Sequence, residues 1–227
     1  MRINNKISRV LLAFCLFALV YTYPAPAWSS TPVTKPPKGE VTIVIDAINR
    51  KLTVFSDGEP HKQYPCAVGT NDTPTPVGNW AIKRKSSNWG TGFGTRWLGL
   101  NVPWGIFGIH GTNKPGSIGT FASHGCIRMF NTHVEEIYPW VSLDTPVIII
   151  GNPFGNPGCT HRILRNGEKG SDVMEIQRNL RRLGYYDGET DGIFGGGTEK
   201  AVIQFRKDNN LRHDNCIDED CYKLLGL

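Results

Sequence analysis

Residues 41–55 read VTIVIDAINRKLTVF. Two runs rich in β-branched residues, 41–46 and 51–55, flank Ala47-Ile48-Asn49-Arg50. Side chains branched at Cβ lose little freedom in an extended chain and pack well on a pleated surface. Two such runs around a short break predict a β-hairpin. Further strand candidates follow at 63–68, 79–83, 97–102 and 106–109, and 147–150 closes the series. Gly and Pro punctuate them at Thr73-Pro74-Thr75-Pro76 and Val102-Pro103-Trp104-Gly105. One helix is expected over 132–141, where Thr132 and Glu135 have the spacing of a capping box. The pattern predicts a mainly β domain over residues 40–151, with antiparallel sheets and one principal helix.

Upstream, residues 28–39 (WSSTPVTKPPKG) bury little apolar surface and read as a linker. Before them, Arg2, Lys6 and Arg9 precede an uncharged apolar run, 10–20, and the small residues Ala25-Pro26-Ala27. Together these predict a secretory signal peptide over 1–27. The run is shorter than the roughly 20 residues a bilayer span needs. The alternative is an uncleaved anchor reaching about as far as Tyr23. Cys15 has no small residue before it, so lipidation is not expected.

Downstream, 152–159 (NPFGNPGC) is a second Pro/Gly break, and 152–160 is expected to link the β domain to a second one over 161–227. This tail reads as helical. Val173, Ile176, Leu180 and Leu183 share one helix face, with Asp172 placed to cap the start and Gly184 to end it. Ala201, Val202 and Phe205 mark another helix, with Thr198 as its N-cap. The sequence Asp191-Gly192-Ile193-Phe194, ahead of Thr198, is echoed 23 residues later by Asp214-Asn215-Cys216-Ile217, ahead of Cys221. Each copy reads as a turn opening a short helix, the second running on through Tyr222, Leu224 and Leu225.

The 227 residues are 39% hydrophobic and 20% charged, which is ordinary for a globular chain. A net charge of +5, partly carried by the N-terminus, suits an anionic polymer such as a cell wall. No Lys/Arg stripe interleaved with aromatics occurs, so nucleic acid is not an expected partner. Removal of the leader leaves five cysteines, an odd number, in surroundings where thiols tend to pair. A staple between Cys216 and Cys221 fits, as does one from Cys159 to either, and Cys66 reads as a buried thiol. Sequence leaves the connectivity open. Trp80, Trp97, Trp104 and Trp140 read as core or cleft wall, and Trp89, in a loop-like stretch, as a cleft candidate. Tyr185, Tyr186, Asp187 and Asp191 read mainly as packing and turn residues.

The chemistry concentrates in Ile109-His110-Gly111-Thr112 and Ser123-His124-Gly125-Cys126-Ile127-Arg128, joined by a Gly-rich loop. A thiol with a pKa of about 8.5 is mostly protonated at neutral pH. A neighbouring imidazole can take that proton and leave a thiolate–imidazolium pair. Both His110 and His124 are near enough in sequence. A tight turn at Gly125 would let backbone amides converge as an oxyanion hole. His110, His124 and Cys126 lack the short ligand spacings of structural zinc, so no metal is expected.

These two segments, with Met129, and the upstream Ala67-Val68-Gly69 and Thr73-Pro74-Thr75-Pro76-Val77-Gly78, resemble the signature of the L,D-transpeptidase catalytic domain, also called YkuD. The tail, through Leu183-Gly184-Tyr185-Tyr186, Asp191-Gly192-Ile193-Phe194-Gly195 and Thr198, resembles the three-helix peptidoglycan-binding module. The resemblance implies Cys126 as nucleophile, His110 as general base and acid, and the Gly111 carbonyl as the group that fixes the His110 tautomer. It implies oxyanion stabilisation by amides around His124, Gly125 and Cys126, with Ser123 and His124 as supporting residues. Arg128, a common variant where other family members carry Asn, would pair with a substrate carboxylate. The implied reaction is a 3→3 crosslink between stem peptides, with stem-peptide hydrolysis or a non-catalytic wall-binding role as alternatives. No cofactor is needed. Peptidoglycan stem peptides and glycan strands are the expected partners and carbapenem β-lactams the expected covalent inhibitors. The protein is expected to be a monomer, secreted and associated with the cell wall.

Overall fold

The computed structural model describes residues 35–87 and 90–227. The leader expected at 1–27, Cys15, the first part of the linker and Trp89 lie outside the described residues. β1 (Val41–Asp46) and β2 (Lys51–Ser56) form the expected hairpin, pairing Ile43 with Val54 and Ile45 with Leu52. Arg50 takes a positive φ of 55° in the turn, and the Asp46 carboxylate accepts from both the backbone and side-chain amides of Asn49.

The remaining strands are β3 (Glu59–Pro65), β4 (Val68–Gly69), β5 (Gly78–Ser86), β6 (Trp97–Leu100), β7 (Gly108–His110), β8 (Phe121–Ser123), β9 (Ile127–Arg128) and β10 (Pro146–Ile150). Eight form one sheet in the order β3-β2-β1-β10-β5-β6-β7-β9, and β4 pairs with β8 beside it. Most neighbours are antiparallel, as expected. β1 and β10, β7 and β9, and β4 and β8 are instead parallel. The strand expected over 63–68 starts earlier and stops at Pro65, and β4 after it pairs elsewhere. β8 and β9 emerge from what read as loop and turn, because two or three residues carry no visible alternation.

Alternation along β1, β2, β5, β6 and β10 places Ile43, Ile45, Leu52, Val54, Ile82, Leu98, Val147 and Ile149 in one core, none more than 1% exposed. Each such side chain contributes roughly 1.5–3 kcal/mol by leaving water. α1 (Asn131–Ile137) adds Val134 and Ile137 to this core and runs on as a 3-10 turn, Tyr138–Trp140. The capping box does not form. The helix begins at Asn131 with no side-chain cap, so Thr132 already lies inside it.

The tail supplies α2 (Ser171–Arg182), α3 (Gly196–Asp208) and α4 (Glu219–Leu225) around a second core. Val173, Ile176 and Leu180 are buried as read, but Leu183 is 43% exposed where the chain leaves the helix before Gly184, at φ 84°. Asp172 is inside the first turn rather than its cap, and its carboxylate is taken by Arg162 at 2.6 and 3.1 Å. Thr198 is likewise inside α3, buried, accepting from Gln177 Nε2 at 3.1 Å. The first repeat copy opens a helix of 13 residues, not a short one. The second opens α4, where Asp218 caps by accepting from the Cys221 amide.

Cys66 and Cys126 are free thiols, as read, and so are Cys159, Cys216 and Cys221, against the expectation that two of these three pair. The Cys221 sulfur is committed elsewhere, lying 3.7 Å from the Cys216 carbonyl oxygen and receiving the Arg206 guanidinium at 2.9 Å. Among the described residues no helix is long and apolar enough to cross a membrane.

The tail packs directly on the sheet. The Trp104 ring lies against Gly192, where a Cβ would come within 2.5 Å of it. Ser171 Oγ donates to the Val77 carbonyl at 3.2 Å, and Asn156 Nδ2 to the Gly69 carbonyl at 3.0 Å. Phe154 packs edge-on to Tyr222, so the 152–160 segment is itself part of the packing.

Candidate active site

His110 ends β7, and Cys126 immediately precedes β9. The parallel register sets Ile109 beside Ile127 and His110 beside Arg128, so the sheet itself brings the two motif segments together. The Met129 amide locks this pairing by donating to the His110 carbonyl at 2.8 Å.

His110 is 2% exposed, held in an aromatic slot. Trp97 stacks on it at 5.5 Å and 23°, and Phe93 meets it edge-on at 5.0 Å. Its Nδ1 lies 2.5 Å from the Gly111 carbonyl oxygen. A carbonyl only accepts, so Nδ1 carries the proton and Nε2 keeps its lone pair in the neutral ring. Burial pushes the imidazole pKa down to about 4, assisted by the Arg128 charge and opposed by backbone hydrogen bonds to Gly111 and Phe93. Burial also raises the Cys126 thiol above its ordinary value, opposed by a backbone hydrogen bond from Gly108 and by Arg128. Both shifts favour a neutral thiol and a neutral imidazole before the proton is passed.

The turn before Cys126 is self-fastened. Ser123 Oγ donates to the Cys126 carbonyl at 2.5 Å and accepts from the Gly125 amide at 3.1 Å. Gly125 has φ 100°, and a Cβ there would come within 2.6 Å of the Phe107 ring, so both backbone conformation and space require glycine. The Gly125 amide is thus occupied by Ser123. The amides of His124 and Cys126 carry no hydrogen bond among the described residues, leaving them as the oxyanion donors to consider. The Cys126 sulfur lies 4.0 Å from the Ile106 carbonyl, and the Ile106 side chain beside it is 79% exposed.

His124 is exposed and faces a neighbouring cavity. The Arg128 guanidinium has no carboxylate partner among the described residues, while its backbone forms a bridge with Ala67 through bonds of 2.8 and 2.9 Å. The segment after β3 clamps the rest: Gly119 donates to the Cys66 carbonyl, and Thr70 to that of Ser123. The Cys66 thiol, fully buried here, is pushed up to about 12. No cluster of three or more His, Cys, Asp or Glu side chains placed to hold a metal occurs among the described residues.

Asn131 was missed by the sequence reading. Its Oδ1 accepts from Thr112 at 3.0 Å and Thr95 at 3.4 Å, pinning the turn that follows His110. A Cβ on Gly111 would come within 2.1 Å of that oxygen. The only available signal was an Asn at a helix start, which reads as a cap. Phe93 was also missed as a wall of the imidazole slot, while Trp97, read as core or cleft wall, forms the other.

Residues 40–149 match the family model described as "L,D-transpeptidase catalytic domain", and 169–225 match "Putative peptidoglycan binding domain". The chain is 41% identical over 107 residues to "Putative L,D-transpeptidase YkuD" of Bacillus licheniformis, covering 47% of this chain and 64% of that one. It is 30% identical over 129 residues to "Putative L,D-transpeptidase YqjB" of Bacillus subtilis, covering 50% of this chain and 73% of that one. The chain thus spans less than two thirds of the first relative's length. Among solved structures, an L,D-transpeptidase from Mycobacterium smegmatis is 26% identical with a TM-score of 0.43, covering 49% of this chain and 59% of that one.

Proposed function

This chain belongs to the L,D-transpeptidase family, and from that premise we propose that it joins peptidoglycan stem peptides by 3→3 crosslinks through a thioester on Cys126. The observation that carries this reading is the His110 imidazole, neutral, fixed by Gly111 with Nε2 unprotonated, on the strand paired with the one that Cys126 leads into.

In the first step the Cys126 sulfur attacks the carbonyl carbon of the third residue of a donor tetrapeptide. A C–S bond forms and the thiol proton passes to His110 Nε2. The amides of His124 and Cys126 hold the developing oxyanion. Collapse breaks the C–N bond to the terminal D-Ala, whose nitrogen takes the proton from His110. In the second step the side-chain amine of an acceptor's third residue attacks the thioester. A C–N bond forms, the C–S bond breaks, and the amine proton returns through His110 to the sulfur. A raised thiol pKa fits a nucleophile deprotonated only as it attacks. Arg128, free of an internal carboxylate, pairs with the donor's terminal carboxylate.

The 161–227 domain holds the enzyme on the wall, following its resemblance to peptidoglycan-binding modules. The protein acts outside the membrane as a monomer after removal of residues 1–27, and carbapenems acylate Cys126.

The deciding experiment incubates purified protein with a disaccharide-tetrapeptide and reads the products by mass spectrometry beside a Cys126→Ala control. A dimer lacking one D-Ala, absent in the control, is expected. Tripeptide without dimer would make the enzyme a carboxypeptidase. No turnover and no Cys126 adduct would leave a wall-binding protein.

A further inference from the structure

A cavity of about 690 Å³ opens at the seam between the sheet and the tail. That is the size of pockets that enclose a small ligand or a short peptide. Phe107 and His124, which flank the nucleophile's turn, form its inner wall. Asp72 contributes from the loop after β4, and Lys169, with Gly170 and Ser171, from the start of the tail's first helix. Trp104 lies between, edge-on to Trp80 at 5.3 Å and pressed on Gly192. Thr73 Oγ1 donates to the Ser123 carbonyl at 3.2 Å, so the cavity loop is tied to the catalytic turn.

The charges in this cavity are unequal in status. Arg162 is committed to Asp172 and Glu168. Among the described residues the Asp72 carboxylate and the Lys169 ammonium have neither ion pair nor hydrogen bond. An unpaired carboxylate and an unpaired ammonium around an aromatic wall are complementary to a ligand that carries both signs of charge. A neutral N-acetylated glycan offers neither. A stem peptide with a free side-chain amine and free carboxylates offers both.

We propose that this seam is the acceptor site, in which Asp72 receives the amine end of the second stem peptide and Lys169 a carboxylate, so that the tail completes the substrate cleft. Arg128, on the β7–β9 side, is left to the donor. This rests on the crosslinking reading and adds to it that the tail selects the acceptor as well as holding the wall. Asp72 and Lys169 are positioning residues: they place the amine for attack on the thioester and touch no reacting atom of the first step.

The test uses the full chain with an isotope-labelled tetrapeptide donor and a separate tripeptide acceptor, free or carrying its disaccharide, comparing wild type, Asp72→Asn, Asp72→Glu and Lys169→Met. The readouts are the ratio of dimer to hydrolysed tripeptide across acceptor concentrations, and the rate of Cys126 acylation by a carbapenem. Asp72→Asn and Lys169→Met are each expected to lower the dimer-to-tripeptide ratio about tenfold at limiting acceptor, through a raised acceptor KM. Excess acceptor and the Asp72→Glu variant should restore the ratio, while acylation changes by less than about threefold. An unchanged ratio would overturn the acceptor site. So would acylation falling in step with the ratio, which marks a structural role, or a loss confined to acceptors that carry glycan, which marks a sugar site. Wild-type protein that is acylated but makes no dimer would instead count against the crosslinking reading itself.

Discussion

The sheet core and the tail core are built on different principles. The sheet's interior is mainly apolar, from Ile43 to Ile149, with Thr75, His110, Thr112, Ser123 and Thr145 as its buried polar side chains, because strand pairing already satisfies most of the backbone. The tail's three helices leave long turns between them, and buried polar side chains satisfy those. Gln177, with no exposed surface, donates to Asp191, the Ile193 carbonyl and Thr198, and accepts from the Gly192 amide at 2.8 Å. Arg206, 2% exposed, reaches the Arg212 and Cys216 carbonyls, the Cys221 sulfur and Asp218. A small domain with few regular contacts uses polar hubs to give its turns one conformation.

Removing the charged hub should therefore hurt at least as much as trimming the sheet, and removing the neutral one less. Arg206→Ala is expected to cost about 3–5 kcal/mol, since it leaves Asp218 and two carbonyls unanswered. Hydrogen exchange across α3 and α4 should show the loss, and a cost below about 1 kcal/mol would break the contrast. Ile109→Ala, in the fully buried centre of β7, should cost roughly 2–5 kcal/mol by leaving a cavity, read by denaturant unfolding. Gln177→Leu should cost roughly 1–3 kcal/mol, concentrated in exchange at Gly192 and Ile193. If it proved neutral, the amide hub would be replaceable by packing alone.

At the active site the contrast turns on hydrogen-bonding side chains beside the apolar core, of which Asn131 is one. Asn131→Ala should slow acylation of Cys126 about tenfold, equivalent to about 1.4 kcal/mol, with the fold retained by circular dichroism. The smallest effect is a shape, not a loss. Because the His110 pKa is near 4 and the Cys126 thiol is raised, iodoacetamide alkylation of Cys126 should keep climbing through pH 9 without a plateau between pH 5 and 8. A neutral plateau would restore the ion-pair reading.

The hairpin and the tail helices were legible because each repeats a spacing long enough to see, as Ile43/Ile45 and Val173/Ile176/Leu180 do. β8 and β9 were not, being three and two residues long and defined by partners distant in sequence. The nucleophile turn and His110 stood out as a dense motif. Asn131 did not, since its role lies in reaching back to Thr95 and Thr112. The pairing of Cys216 and Cys221 was suggested by closeness in sequence, but Arg206 and a backbone carbonyl claim the Cys221 sulfur instead. Spacing reveals periodic burial; it is blind to which polar group answers which.

The β1–β10 pairing also has a mechanical consequence. These strands run parallel through the middle of the sheet, Ile43 beside Val147 and Asp46 beside Ile150, so the chain enters β1 at one end of the pair and leaves β10 at the other. Tension between the leading segment and the tail therefore slides the two strands past each other and loads their hydrogen bonds together. It does not peel them one at a time. A pull along this path meets a shear clamp, and rupture is governed by the unfolding barrier rather than by equilibrium stability. An enzyme stretched between two attachment points would keep its catalytic sheet intact under loads that unzip a hairpin.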